Sequence, residues 1–223
     1  MYLACFFVVM TYISCAQKTE NEVATVENPP FTPELLVDGL QIPWGMEFLP
    51  DGSMLITEKA GEIIHFKAGV KTKVGNVPAV YDRGQGGLLD IQLHRNCAEN
   101  GWIYLSFASE EGAEKGGNTA IVRAKLVDNA LADLQTLYKA TPNTTKGQHF
   151  GSRLEFDREG YLYFSIGERG ERDINPQDRT RDGGKIYRLH DDGRIPDDNP
   201  FLGLENGVKA AYTYGNRHPQ GMA

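Results

Sequence analysis

The chain has 223 residues, 40% of them hydrophobic and 24% charged, the balance of a soluble globular protein long enough to bury a sizeable core. Its formal net charge of −7 and its lack of a local Lys/Arg cluster exclude a nucleic-acid partner, because phosphate recognition needs a positive footprint. Small or neutral ligands and metal cations suit it better.

Residues 1–14 carry no charge, are mostly apolar and end in Ile13-Ser14 before Cys15. The stretch is too short for a comfortable membrane span. With the polar tail that follows, it reads as an export leader of residues 1–15 with a bacterial lipoprotein cleavage site. Cys15 is then the expected first residue of the mature protein and the expected lipid anchor, which places the protein in the periplasm or cell envelope. Residues 16–34 are polar and include Pro29-Pro30 and Pro33, a composition that buries little apolar surface, so a disordered tether is expected there. Only Cys97 lies in the body of the protein, so no disulfide framework is possible within it. Cys97 itself reads as a small buried apolar residue.

From residue 35 to 223, short β-rich runs alternate with Gly/Asp/Asn turns, and no window keeps a helical period. The body is expected to be all-β. A loose repeat runs through it. Gly45-Met46-Glu47-Phe48, an Asp51-Gly52 turn and Met54-Leu55-Ile56-Thr57-Glu58 can be laid over Gly151-Ser152-Arg153-Leu154-Glu155-Phe156, a Glu159-Gly160 turn and Tyr161-Leu162-Tyr163-Phe164-Ser165-Ile166-Gly167-Glu168. Gly87-Leu88-Leu89-Asp90 with Trp102-Ile103-Tyr104-Leu105 gives a third copy, and Gly221-Met222-Ala223 opens a fourth. Further strands are expected at residues 61–66, 120–126 and 184–189. A glycine-led hairpin with added strands, recurring at roughly 40 to 70 residues, is the sequence form of one β-propeller blade. Open propellers leave bare strand edges, and the chain stops mid-repeat, so it is expected to be the N-terminal part of a longer protein.

Four short strings precede the inner strands: Gln41-Ile42-Pro43-Trp44-Gly45, Arg83-Gly84-Gln85-Gly86-Gly87, Gly147-Gln148-His149-Phe150-Gly151 and Tyr214-Gly215-Asn216-Arg217-His218-Pro219-Gln220-Gly221. Propeller loops of this kind converge on the mouth of the central channel, which brings Gln85, His149, Arg217 and His218 to one pocket. An imidazole near neutrality takes a proton from a hydroxyl when the fold fixes one tautomer. Taken alone, His149 reads first as a hydrogen-bonded turn residue; its company in the other loops points to a site. The acidic strings Glu168-Arg169-Gly170-Glu171-Arg172-Asp173, Asp191-Asp192-Gly193 and Asp197-Asp198-Asn199 lack EF-hand spacing and read as solvated turns. Trp44, Trp102 and Phe107, on or beside alternating strands, read as core between blades rather than as sugar-stacking platforms.

Together these strings resemble the soluble glucose/sorbosone dehydrogenases, which include aldose sugar dehydrogenases that use pyrroloquinoline quinone (PQQ). The resemblance rests on Gly84-Gln85-Gly86-Gly87-Leu88-Leu89, on His149 before Arg153-Leu154, on Gly184-Lys185-Ile186-Tyr187-Arg188 with Asp198-Asn199-Pro200-Phe201, and on Gly215-Asn216-Arg217-His218-Pro219-Gln220-Gly221. It runs from about Pro43 to the end. It implies a six-bladed β-propeller, of which this chain covers roughly the first half. It also implies oxidation of the C1 hydroxyl of an aldose to the lactone, with hydride passing to PQQ, Ca²⁺ as a second cofactor and an external electron acceptor. Carried over, His149 is the catalytic base, Arg217 a catalytic and cofactor-binding cation, His218 a cofactor contact, and Gln85 and Gln148 substrate contacts. His218 stands where the family pattern has asparagine; an imidazole donates a similar hydrogen bond but is bulkier and titrates near neutral pH. The family's metal ligands lie downstream, so no metal ligand is named. Two other readings remain: a non-catalytic carbohydrate- or protein-binding propeller, and a propeller lactonase with acidic residues around a central metal. Carboxylates are scarce in the four loops, which counts against the lactonase.

Overall fold

The computed structural model describes residues 31–223, within which Val37–Ala223 forms one compact unit. The expected leader, Cys15 and nearly all of the expected tether lie outside the described residues. Twelve strands make up three four-stranded antiparallel sheets. The first holds β1 (Pro43–Phe48), β2 (Met54–Glu58), β3 (Glu62–Lys67) and β4 (Val70–Lys73). The second holds β5 (Leu88–Leu93), β6 (Trp102–Ser109), β7 (Asn118–Val127) and β8 (Ala130–Lys139). The third holds β9 (Leu154–Phe156), β10 (Leu162–Ile166), β11 (Lys185–Leu189) and β12 (Ala211–Tyr214). Within each sheet the strands lie side by side in chain order, so each is an up-and-down blade of a β-propeller. The one helix among the described residues, α1 (Cys97–Asn100), is a single turn that Gly101 ends at φ 72°.

The glycine-led repeat marks the first strand of every blade. β1 lies against β5, and β5 against β9, so the three first strands are neighbours. Pairing of the third blade begins at Ser152, whose N–H donates to Ser165 O at 2.7 Å, one residue after Gly151. The acidic-glycine turns do what the sequence requires of them: Asp51 Oδ1 accepts from Ser53 N at 3.0 Å while Gly52 takes φ 82°.

Two close contacts lock the blades together. Leu88 N–H donates to Lys59 O at 2.9 Å, an approach that only glycine allows, since a Cβ at Gly87 would lie 2.1 Å from that oxygen. Asp90 of β5 then joins three blades. Its buried carboxylate packs where a Cβ on Gly45 would stand 2.7 Å away, and it accepts from Leu154 N and Arg153 Nη1, each at 2.8 Å. Arg153 in turn lies 4.9 Å from the Trp44 ring. Burial pushes the Asp90 carboxyl up to about 6.

The cores lie between blades. Leu55, Ile63, Leu88, Ile91, Leu105 and Val122 fill the first interface; Tyr104, Leu154, Leu162, Phe164 and Tyr187 fill the second. Each fully buried Leu or Ile contributes about 1.5–3 kcal/mol. Phe107 belongs to the first core, as expected. Trp102 is half-buried at the edge of the second, with Arg123 4.3 Å from its ring, and Trp44 is half-buried against Leu89, Ala108 and Phe150. Cys97 packs against the first core, and burial raises its thiol pKa. Gly221-Met222-Ala223, the opening of the expected fourth repeat, forms no strand among the described residues.

Candidate active site

His149 sits on a loop held tightly from below. The residue adopts φ 56°, and its N–H donates to Gln85 Oε1 at 2.7 Å, while Gln85 N–H donates to Gly147 O at 2.6 Å. The two loops touch so closely that a Cβ on Gly84 would lie 2.2 Å from Gly147 O. On the far side, Thr119 Oγ1 donates to the carbonyl of buried Phe150 at 2.9 Å. The backbone around the imidazole is therefore fixed by two other segments, the Gly84-Gln85 loop and Thr119.

Glu168 fixes the ring. It follows β10 through Gly167, a position where a Cβ would meet His149 O at 2.1 Å, and its side chain is 1% exposed. Its Oε1 faces His149 Nδ1 in a hydrogen bond. Glu168 N–H donates to Arg217 O at 2.8 Å, and Asn175 Nδ2 donates to Glu168 O at 3.1 Å. A buried carboxylate accepts, so in the neutral ring Nδ1 carries the proton and Nε2 is left with a lone pair. That nitrogen makes no hydrogen bond among the described residues.

His218 is set the opposite way. Its Nδ1 accepts from Gly151 N–H at 3.1 Å, which puts the proton of the neutral ring on Nε2. Nε2 is buried with no hydrogen-bond partner among the described residues, as is Glu168 Oε2. The His149 and His218 ring centroids are 5.0 Å apart. Burial first, and then the neighbouring His149, push the pKa of His218 below the usual histidine range. The site thus presents one imidazole as acceptor and the other as donor. Beside them a pocket of about 290 Å³ is lined by Trp44, Lys59, Gln85, Phe150, His218 and Gln220.

Gln85, His149 and His218 are brought together as expected. Arg217 contributes its carbonyl to Glu168, while its exposed guanidinium makes no hydrogen bond or ion pair among the described residues. Gln148 is exposed, and its carbonyl rather than its amide is engaged, by Arg169. One expectation is overturned. Glu168 and Arg169 are not part of a solvated turn; each is 1% exposed, the first against His149 and the second over the Phe150 ring at 3.4 Å, and Asn199 is likewise buried, accepting from Arg188 Nε and donating to Lys209 O. The apolar run Leu162 to Ile166 leads directly into Gly167-Glu168, but the charges that follow hide the burial of Glu168 and Arg169 from a reading of the sequence. The rest of that string is solvated as expected, with Arg172 and Asp173 exposed. Among the described residues no group of three or more His, Cys, Asp or Glu is placed to hold a metal.

The family model for glucose / sorbosone dehydrogenase matches residues 40–223. The chain belongs to the glucose/sorbosone dehydrogenase family. It is 43% identical to the aldose sugar dehydrogenase YliI of Escherichia coli K12 over 196 residues, covering 85% of this chain and 52% of that protein. It is 28% identical to quinoprotein glucose dehydrogenase B of Acinetobacter calcoaceticus, covering 92% and 48%. Among solved structures, the apo soluble aldose sugar dehydrogenase of Escherichia coli superposes with a TM-score of 0.78 at 40% identity, over 82% of this chain and 54% of that one. The PQQ-bound aldose sugar dehydrogenase of Streptomyces coelicolor gives 0.68 at 32% identity, over 81% and 52%. The chain spans about half the length of these relatives, and its three blades are those of the family's propeller.

Proposed function

We propose that this glucose/sorbosone dehydrogenase chain carries the base of a PQQ-dependent enzyme that oxidises the C1 hydroxyl of an aldose to the lactone. The observation that carries this reading is the His149–Glu168 pair: with the carboxylate on Nδ1, the neutral ring turns its Nε2 lone pair to a solvent-reachable edge. Nε2 takes the proton of the C1 hydroxyl, and the Glu168 carboxylate stabilises the imidazolium that results. A positioned general base of this kind supplies about 10²–10⁴-fold in rate. Gln85 holds the His149 backbone through Oε1, which leaves its amide N–H groups for a sugar oxygen; Gln148 is the second proposed substrate contact.

The residues fit PQQ. A buried Nε2–H on His218 with no acceptor among the described residues suits a carbonyl or carboxylate oxygen, and PQQ is rich in both. His218 and the free guanidinium of Arg217 would hold it, the latter as a permanent charge that does not compete for the proton. Bound PQQ would supply the two-electron acceptor for the hydrogen leaving C1, to be reoxidised by an external acceptor. Ca²⁺ is expected from the family resemblance; the described residues offer no ligand cluster for it, and no step is drawn through it.

Export to the periplasm or cell envelope, with lipid on Cys15, completes the proposal; the intact mass of the mature protein tests it. No described helix is long and apolar enough to cross a membrane. The enzymatic reading is tested by PQQ binding to the full natural protein and by aldose-dependent reduction of the bound quinone. Failure to bind PQQ at all would favour a propeller that only binds carbohydrate or protein.

A further inference from the structure

We propose that Arg169 is the positioning residue for His149, its guanidinium holding the backbone carbonyls before the histidine and covering the Phe150 ring after it so that Nε2 meets the substrate hydroxyl. The proposal rests on reading His149 as the base. Arg169 is 1% exposed and forms no ion pair among the described residues. Its guanidinium donates instead to the loop: Nη1 to Gln148 O, and Nη2 to Lys146 O at 2.9 Å, Thr144 Oγ1 at 3.2 Å and Gly117 O of the neighbouring blade at 3.1 Å. Its plane covers Phe150, the residue after His149, at 3.4 Å. Residues 144 to 150 are thus gripped by one side chain at Thr144, Lys146, Gln148 and Phe150.

A buried cation without a paired carboxylate is costly, and an apolar side chain of similar volume would fill this space at less cost. Burial pulls the Arg169 pKa down to about 10, so the group stays charged at neutral pH. What the charge supplies is a planar fork of donors that reaches several carbonyls at once, which a lysine ammonium cannot match. Glu168 and Arg169 are consecutive. The carboxylate sets the ring and the guanidinium sets the chain that bears it. His149 at φ 56° is a strained conformation that needs such over-determination.

The test uses Arg169→Lys and Arg169→Ala in the full natural protein, with two readouts. The first is the ¹⁵N spectrum of the histidine side chains, in which the His149 signals are identified by their loss in His149→Asn. The second is kcat and KM for an aldose with PQQ supplied. In the wild type, His149 should show one Nδ1–H tautomer. In folded Arg169→Lys the signature should move toward a tautomer mixture, and kcat should fall about tenfold or more with KM little changed, the pattern of a misplaced base. Free guanidinium should restore both readouts in Arg169→Ala and leave the wild type unaffected. A lowered melting temperature with the single tautomer and wild-type kcat retained in Arg169→Lys would overturn the proposal, leaving Arg169 a packing residue. A wild-type protein that oxidises no aldose would remove the dehydrogenase reading, while the tautomer spectra would still decide the role of Arg169.

Discussion

The Glu168 carboxylate, nineteen positions after His149 in the chain, faces Nδ1 of that histidine from a fully buried position. On the proposed reading, the pair makes Nε2 the acceptor of the neutral ring, and with it the atom that acts as base. Glu168→Gln removes the charge while keeping the shape. A neutral amide neither enforces the Nδ1–H tautomer nor stabilises the imidazolium, so kcat should fall about 10²-fold or more in a protein whose circular dichroism is unchanged.

Contact between the two site loops gives a second prediction. Gly84 takes φ 61°, and an added Cβ would stand 2.2 Å from Gly147 O, so Gly84→Ala must displace the loop that bears His149. A cost of about 1–3 kcal/mol or more in denaturant unfolding is expected, together with a loss of turnover. Gly52→Ala is the control. It has the same sign of φ, at 82°, but no atom within 4 Å, so it should cost about 1 kcal/mol and leave kcat unchanged.

Asp90 ties the first strands of three blades. Asp90→Ala strands the Leu154 N–H inside the core and leaves Arg153 unpaired. Because Arg153 is partly exposed and can regain water, the loss should be about 2–4 kcal/mol rather than that of a wholly buried pair. Urea unfolding of the variant beside the wild type measures it.

His218 adds a dependence on pH. Its folded pKa lies below the ordinary value near 6.5, so an unfolded chain binds this proton more readily than the folded one. Stability from this group is therefore complete above that value and falls as the pH drops through it toward the lower folded value. His218→Asn, which restores the residue type of the family pattern, should flatten this part of the curve in thermal melts taken at a series of pH values.

Much of this was legible in the sequence because the fold repeats itself. Gly45, Gly87 and Gly151 mark the opening of each blade, and the turns at Asp51-Gly52 and Glu159-Gly160 separate its first two strands. The outermost strands were harder to read. β4 is exposed throughout and β12 nearly so, and a strand without a buried face shows no alternation. In the site, His149, Gln85 and His218 could be found from their glycine-flanked loops. Glu168 and Arg169 could not, because charged residues in a string of charges read as solvated, and their burial is decided by partners on other segments. Gln148 illustrates the converse: its side chain drew attention, whereas its carbonyl makes the contact.

The central claim is that His149 is the base, and single-turnover reduction of PQQ by an aldose in the full natural protein tests it most directly. Wild type and His149→Ala are compared, with PQQ binding and melting temperature measured on the same samples. The account predicts a folded variant that still binds PQQ but reduces it about 10²-fold or more slowly. An unchanged reduction rate in well-folded His149→Ala would contradict it.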